Sequence, residues 1–243
     1  MKNYFTCSVT LTIVISFFSC SKKENAAISG NGPCTDFTSP YVTNDGPLQM
    51  GTTLHLSGSS NEQNITYQWT GPKNFSSQEK NPVINNISFD AGGTYYARVI
   101  SDSCMSNTSP TNVIVNAPCN IADNTGVFGT SWNFNSSITC GINANGYLIL
   151  CSSINGELKI KFATDNAPAV NKVMKVDDPG TAAFDSTEVQ LSITNSGGTV
   201  YTGQSGNVYV SNYGNFTVAF CGVLFKASVS GATLTGAAKI KCQ

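Results

Sequence analysis

The chain of 243 residues carries 13 basic and 14 acidic side chains, so it lacks the excess of Lys and Arg that binding to nucleic acids requires. We therefore predict no nucleic-acid partner. Charged residues make up only 11% of the chain, and Gly, Ser, Thr and Asn are abundant. This composition is typical of short strands joined by many turns and is unfavourable for long helices.

Residues 1–19 predict an export signal. Lys2 precedes the mostly apolar residues 4–18, a stretch too short to span a bilayer. Small and apolar residues then lead directly into Cys20. This pattern resembles the lipobox of bacterial lipoproteins, although Phe17 stands where that family usually has Leu. The resemblance implies cleavage before Cys20 and lipidation of its sulfur; the alternative is a plain secreted protein whose Cys20 lies near the cleavage point by chance.

The segment after Cys20 bears on where the protein is displayed. Residues 21–24, Ser-Lys-Lys-Glu, resemble the short charged tract that follows the lipidated cysteine in surface-exported lipoproteins of Bacteroidota. The resemblance implies an outer-membrane lipoprotein of the bacterial cell envelope, held in the membrane by acyl chains such as palmitate. It favours the cell surface over a periplasm-facing position. Residues 20–32 have little apolar content, so we expect a flexible tether.

Short runs of alternating apolar and polar residues predict a first β domain over residues 33–117. Such runs are typical of strands with one buried and one solvated face. The domain ends at Ala117-Pro118, since proline interrupts a strand ladder. The predicted strands cover residues 52–56, 65–69, 83–87, 94–99 and 112–116.

Two motifs of this domain resemble the immunoglobulin-like and PKD-like modules of Bacteroidota surface proteins. They are Tyr-Gln-Trp-Thr-Gly-Pro at residues 67–72 and Ala-Gly-Gly-Thr-Tyr at residues 91–95. The resemblance implies a β-sandwich in which Trp69 is the core tryptophan and Tyr95 the tyrosine-corner residue. Ala97 stands where antibody domains have the second cysteine of their inter-sheet disulfide, so that bridge is absent.

Nine cysteines in an exported chain predict disulfides rather than metal ligands. Cys34 and Cys104 are the only cysteines of the first domain, and we predict that they pair. Cys7 lies in the signal and Cys20 at the anchor, which leaves seven cysteines, an odd number, beyond the anchor. At least one thiol is therefore free, buried or paired with another chain.

A second β domain is predicted over residues 118–243. We expect an antiparallel β-sandwich or jelly-roll-like fold, because strand patterns alternate with turn residues and no amphipathic helix is evident. The predicted strands cover residues 140–142, 147–150, 158–162, 189–193, 207–210, 216–220 and 223–225, with an edge-like strand at 239–241.

The pairing of the cysteines in the second domain stays open at this stage. An Asn-Gly turn predicts a hairpin that places Cys140 opposite Ile149, which argues against a direct bridge from Cys140 to Cys151. The cysteines concerned are Cys119, Cys140, Cys151, Cys221 and Cys242.

Residues 165–187 are predicted to form a long loop, and long loops often carry binding sites. Asp177 and Asp178 in this loop raise the question of calcium, but the regular acidic spacing of a calcium loop is absent. A binding surface could also use exposed aromatic side chains. The candidates for that patch are Trp132, Phe134 and Tyr213.

The sequence contains no motif that predicts a catalytic centre. His55 is the only histidine, and it lies on the polar phase of a predicted strand without a recognisable nucleophile motif nearby. We predict a protein without catalytic activity, cofactor or metal that acts in adhesion or in binding an extracellular glycan or protein. The alternatives are a hydrolase, such as a carbohydrate-active enzyme with its site on loops of the second domain, and a structural spacer.

Overall fold

The structure, a computed structural model, describes residues 37–102, 104–134, 137–143, 146–178, 185–212 and 215–242. Strands account for nearly every element, and two 3-10 turns, Pro72–Asn74 and Phe89–Ala91, are the helical elements in this part of the chain. The predicted all-β class is confirmed. The predicted signal peptide, Cys20, the tether and Cys34 lie outside the described residues.

The first part of the chain forms an immunoglobulin-like unit. Its strands are β1 (Tyr41–Asn44), β2 (Leu48–Gln49), β3 (Leu54–Ser59), β4 (Thr66–Gly71), β5 (Phe75–Ser77), β6 (Val83–Ile84), β7 (Gly93–Ile100), β8 (Ser109–Val113) and β9 (Val115–Asn116).

The strand order of this unit is that of an immunoglobulin-like sandwich. One antiparallel sheet has the order β1-β3-β6, the other has the order β5-β4-β7-β8, and β2 pairs with β9 in parallel. Side chains from both sheets meet in one core, in which Leu54 and Leu56 face Trp69 and Tyr95. Burial alternates along β3 because every second residue of the strand points into this core, which accounts for its alternating apolar and polar sequence.

Trp69 and Tyr95 are fully buried in this core. The Tyr95 hydroxyl donates a hydrogen bond of 2.9 Å to the carbonyl oxygen of Ala91, four residues upstream, which is the geometry of a tyrosine corner. Burial raises the pKa of Tyr95 to about 12. Gly71 is required beside it, because a Cβ at that position would lie 2.4 Å from a carbon of the Tyr95 ring.

The second part of the chain forms a larger β unit. Its strands are β10 (Thr125–Phe128), β11 (Thr130–Asn133), β12 (Ile138–Asn143), β13 (Gly146–Ser153), β14 (Gly156–Phe162), β15 (Lys172–Val176), β16 (Glu188–Asn195), β17 (Val200–Ser205), β18 (Asn207–Ser211), β19 (Thr217–Ala227) and β20 (Thr233–Lys241).

These strands belong to a single sheet that folds over on itself. Its order is β11-β10-β20-β19-β18-β15-β16-β14-β13-β12, and β17 pairs with both β16 and β19. The two halves are therefore joined twice, once through β18 and β15 and once through β17. They enclose one core whose largest side chains include Phe162, Phe220 and Phe225. Pairing is antiparallel throughout this sheet except between β15 and β16.

A β-bulge in β19 explains why the sequence predicts two strands there. Between the pairs Phe220↔Ala238 and Val223↔Gly236, two residues of β19 stand opposite one residue of β20. Gly222 takes a φ of +69° in this bulge, a conformation that favours glycine. The inserted residue shifts the alternation by one, so that Phe220 and Val223 both point into the core.

Disulfides connect distant parts of the second unit. Cys119 is bonded to Cys221, and Cys140 to Cys242, each across a sequence separation of 102. The predicted hairpin register is confirmed, with Cys140 opposite Ile149. Cys104 is also disulfide-bonded, and its pairing with Cys34 stays a prediction.

Two sequence predictions about the second unit are wrong. The expected loop over residues 165–187 contains β15, in which Met174 and Val176 face the core. The strand at residues 239–241 is no edge strand, since β20 lies between β10 and β19. Alternating lysines show that one face of a strand is solvated, but they do not show whether another strand lies beside it.

We expect Tyr95→Phe to lower the free energy of unfolding of the immunoglobulin-like unit by about 1–3 kcal/mol, because the buried Ala91 carbonyl loses its partner. Tyr96→Phe is the matched control, since it removes the same hydroxyl from a ring that is 44% exposed. Urea unfolding followed by Trp69 fluorescence, in a Trp132→Phe background, measures both. Equal effects of the two substitutions would contradict the prediction.

Candidate functional surface

The predicted aromatic binding patch is wrong for two of its three members. Trp132 and Phe134 are buried, with relative exposures of 3% and 0%. Trp132 packs edge to face against Phe128 and Phe134, so these rings close one side of the second core. Tyr213 lies outside the described residues.

The predicted acidic pair, Asp177 and Asp178, follows β15, and the carboxylate of Asp177 forms a hydrogen bond within the fold. Asp177 accepts a hydrogen bond of 3.0 Å from the side-chain amide of Gln190. Asp178 is exposed. Among the described residues no group of three or more His, Cys, Asp and Glu side chains could hold a metal ion.

His55 lies on β3 and contacts an acidic side chain. Its Nδ1 is 2.7 Å from Oδ2 of Asp45, and its backbone N–H donates to Oδ1 of the same carboxylate at 2.9 Å. Partial burial opposes ionisation of Asp45, but the hydrogen bonds from His55 outweigh it and hold the pKa of Asp45 below its ordinary value. Both side chains are substantially exposed, so this pair is a surface contact of low energetic weight.

Among the described residues Cys151 is the free cysteine, as the odd cysteine count predicts, and it is fully buried. Burial, together with the nearby negative charge of Glu157, raises the pKa of Cys151 to about 12. A thiol in this state is not a nucleophile near neutral pH, because the thiolate is the reactive form.

Three hairpin turns meet at one end of the second unit. The turn between β13 and β14 contacts the turn between β16 and β17 through a hydrogen bond from Ser196 N to Asn155 O of 2.9 Å. The second turn contacts the one between β19 and β20, where the N–H and the hydroxyl of Ser228 both donate to Val200 O. We call residues 153–155, 195–200 and 228–232 the distal tip surface.

The distal tip surface lies at the end of the sheet that faces away from the immunoglobulin-like unit. That unit contacts the opposite end, where Phe89 packs against Tyr209 and where Asn171 lies beside Gly92. Strand β19 has 11 residues and runs from one end to the other, which corresponds to roughly 30 Å.

Two aliphatic side chains protrude from the distal tip surface. Ile154 is 94% exposed and Val229 is 97% exposed, the two highest values among the large hydrophobic residues of the described chain. Tight turns favour Gly, Asn, Asp and Ser because those residues suit the turn backbone. An exposed Ile or Val contributes nothing to the turn and buries no surface, so folding does not account for these two residues.

Hydrogen bonds hold the turns of the distal tip surface in place. The Asn195 side chain accepts a hydrogen bond of 2.9 Å from Thr199 N, and the Asn155 side chain donates one of 2.8 Å to Ser131 O. Gly198 and Gly231 have φ values of +79° and +71°, which glycine adopts without strain. The distal tip surface contains no Asp, Glu, Lys, Arg or His.

Within the part of the chain that the structure describes, no helix is long and apolar enough to cross a bilayer.

Comparisons with known proteins return structural matches alone. No protein-family model matches this chain, and no curated protein does either. The Ig1 domain of mouse SynCAM 2 is 15% identical with a TM-score of 0.23, and the match covers 31% of this chain and 93% of that one. Dpr2 Ig1-Ig2 in complex with DIP-Theta Ig1-Ig3 is 12% identical with a TM-score of 0.29, covering 84% of this chain and 65% of that one.

The immunoglobulin domains 1–5 of Sidekick-1 are 12% identical with a TM-score of 0.26, and the match covers 85% of this chain and 59% of that one. This chain therefore spans less than two thirds of the Dpr2 and Sidekick-1 chains. TM-scores this low carry no conclusion about function. The immunoglobulin-like assignment follows instead from the strand order and from the positions of Trp69 and Tyr95.

We expect Cys151 to resist alkylation in the folded protein because its thiol is buried and protonated. Iodoacetamide at pH 8, followed by mass spectrometry without reduction, should leave Cys151 unmodified over hours. The same treatment in concentrated guanidinium chloride should modify it completely. Rapid modification of Cys151 in the native protein would contradict this prediction.

Proposed function

We propose that this protein is a lipid-anchored protein of the bacterial cell envelope that binds an extracellular partner through the distal tip surface, without catalysing a reaction. The observation that carries the proposal is the nearly complete exposure of Ile154 and Val229 on uncharged, hydrogen-bonded turns. The immunoglobulin-like unit then serves as a spacer between the anchor at Cys20 and the binding end. This order of parts places the distal tip surface farthest from the membrane.

The chemistry of the distal tip surface favours a protein partner over a glycan. Interface centres between proteins are depleted in charged residues, and Ser, Gly and Asn provide adaptable hydrogen bonds around apolar anchors. Ile154 and Val229 are aliphatic, whereas stacking on a sugar ring uses a flat aromatic side chain. A surface without charge should also bind with little dependence on ionic strength.

We expect the double substitution Ile154→Asn, Val229→Asn to reduce binding at least tenfold without loss of stability, since neither side chain is packed in the fold. Fluorescent tetramers of the protein, applied to an array of extracellular proteins and glycans at 0.05 M and 0.5 M NaCl, measure the effect. Tyr41→Asn is the control, because Tyr41 is 74% exposed but lies on the immunoglobulin-like unit.

Binding that survives the double substitution, or that falls steeply with salt, would contradict this assignment of the surface. The assignment would also be contradicted if, on every spot of the array, the wild-type protein gave a signal no higher than that of the double variant. Signals confined to glycan spots would show that the partner is a glycan and not a protein.

The anchor is tested separately from the binding surface. We expect the protein from its native membrane to yield an N-terminal peptide that begins at Cys20 and carries two or more acyl chains, since a single acyl chain does not anchor a protein stably. Cys20→Ser should move the protein from the membrane fraction to the soluble fraction. An unmodified N-terminus in the mass spectrum would exclude lipidation.

A further inference from the structure

A cleft of about 1000 Å³ lies where the immunoglobulin-like unit meets the second unit. Its floor is the outer face of β18, β19 and β20, and its wall is formed by Phe89 and by residues 114–121, which join the two units. We call this cleft the junction cleft. Its volume falls within the range of small-molecule binding sites, which often lie between domains.

The floor of the junction cleft is arranged in two rows across the sheet. Strand register places Tyr209, Ala219 and Lys239 in one row and Ser211, Thr217 and Lys241 in the next. The Tyr209 ring packs against Phe89 with centroids 5.4 Å apart, so the aromatic pair closes one side of the cleft. Hydroxyl groups and ammonium groups therefore line one surface beside a buried aromatic pair.

The charged groups of the junction cleft are two lysines and one aspartate. Lys239 Nζ lies 2.6 Å from Asp123 Oδ1, and this pair is mutually neutralised. Lys241 Nζ lies 4.0 Å from Asp123 Oδ2 and has an exposed fraction of 41%, so its charge is only loosely compensated. The cleft therefore carries a net charge of about +1, which favours a ligand with one negative charge.

The cleft also presents four amide side chains, those of Gln49, Asn116, Asn120 and Asn215. All four are exposed, and none of these amides forms a side-chain hydrogen bond within the part of the chain that the structure describes. An amide group both donates and accepts hydrogen bonds. That dual capacity matches the hydroxyl groups of a sugar, each of which also donates and accepts.

We infer that the junction cleft is a binding site for an acidic saccharide, a sugar that carries one carboxylate. Lys241 binds the carboxylate, the amides bind the hydroxyl groups, and the aromatic pair bounds the site beside the sugar ring. This site lies at the opposite end of the second unit from the distal tip surface, so it is independent of the proposed protein partner.

Glucuronate and glucose form a matched pair of probes, because they differ only at C6, which is a carboxylate in glucuronate and a hydroxymethyl group in glucose. We expect the full-length protein to bind glucuronate about tenfold more tightly than glucose in ligand-observed NMR titrations. Lys241→Gln should abolish that difference, and 0.5 M NaCl should reduce it. Lys226→Gln is the control, since Lys226 is an exposed lysine of β19 outside the cleft, and it should preserve the tenfold ratio.

A second substitution separates recognition of the sugar from recognition of the charge. Asn120→Ala should weaken glucose and glucuronate by the same factor, because both sugars carry the hydroxyl groups that the amide contacts. Equal affinities of wild-type protein for the two sugars, or no detectable binding of either, would overturn the inference. Displacement of glucuronate by octanoate at lower concentration would also overturn it and would assign the cleft to apolar acids.

Discussion

The second unit depends on the pairing of strand β19. It pairs with β20 on one edge along nearly its whole length, and on the other edge with β18 near one end and β17 near the other. The strand thereby joins both halves of the folded sheet. Cys221 lies in its bulge and is bonded to Cys119 in the segment that follows the immunoglobulin-like unit. One strand therefore positions the sheet, its core and the connection to the first unit.

The bulge allows β19 to be long and still bury its apolar residues on one side. If this sequence formed a regular strand with no bulge, strict alternation would turn Val223 and Phe225 outward when Phe220 faced inward. Each of these three side chains is fully buried in the structure. The resulting strand is long enough to carry the hairpin turn with Val229 at one end and the floor of the junction cleft at the other.

The two proposed sites differ in the physical basis of recognition. The distal tip surface has no charged residue, so its binding energy must come from apolar burial and neutral hydrogen bonds. The junction cleft has a loosely paired lysine, so its selectivity is electrostatic and sensitive to salt. Because the sites lie at opposite ends of the second unit, both can be occupied in one molecule.

Local patterns in the sequence determined the all-β class, most strand positions and the hairpin register that sets Cys140 opposite Ile149. These features follow from period-2 alternation and turn chemistry, which neighbouring residues encode. The disulfide partners, the burial of Trp132 and the interior position of β20 were decided by the tertiary structure alone. Each depends on contacts between residues far apart in the chain, which local alternation does not specify. Both proposed sites arise in the same way, from turns and strands that only the folded sheet brings together.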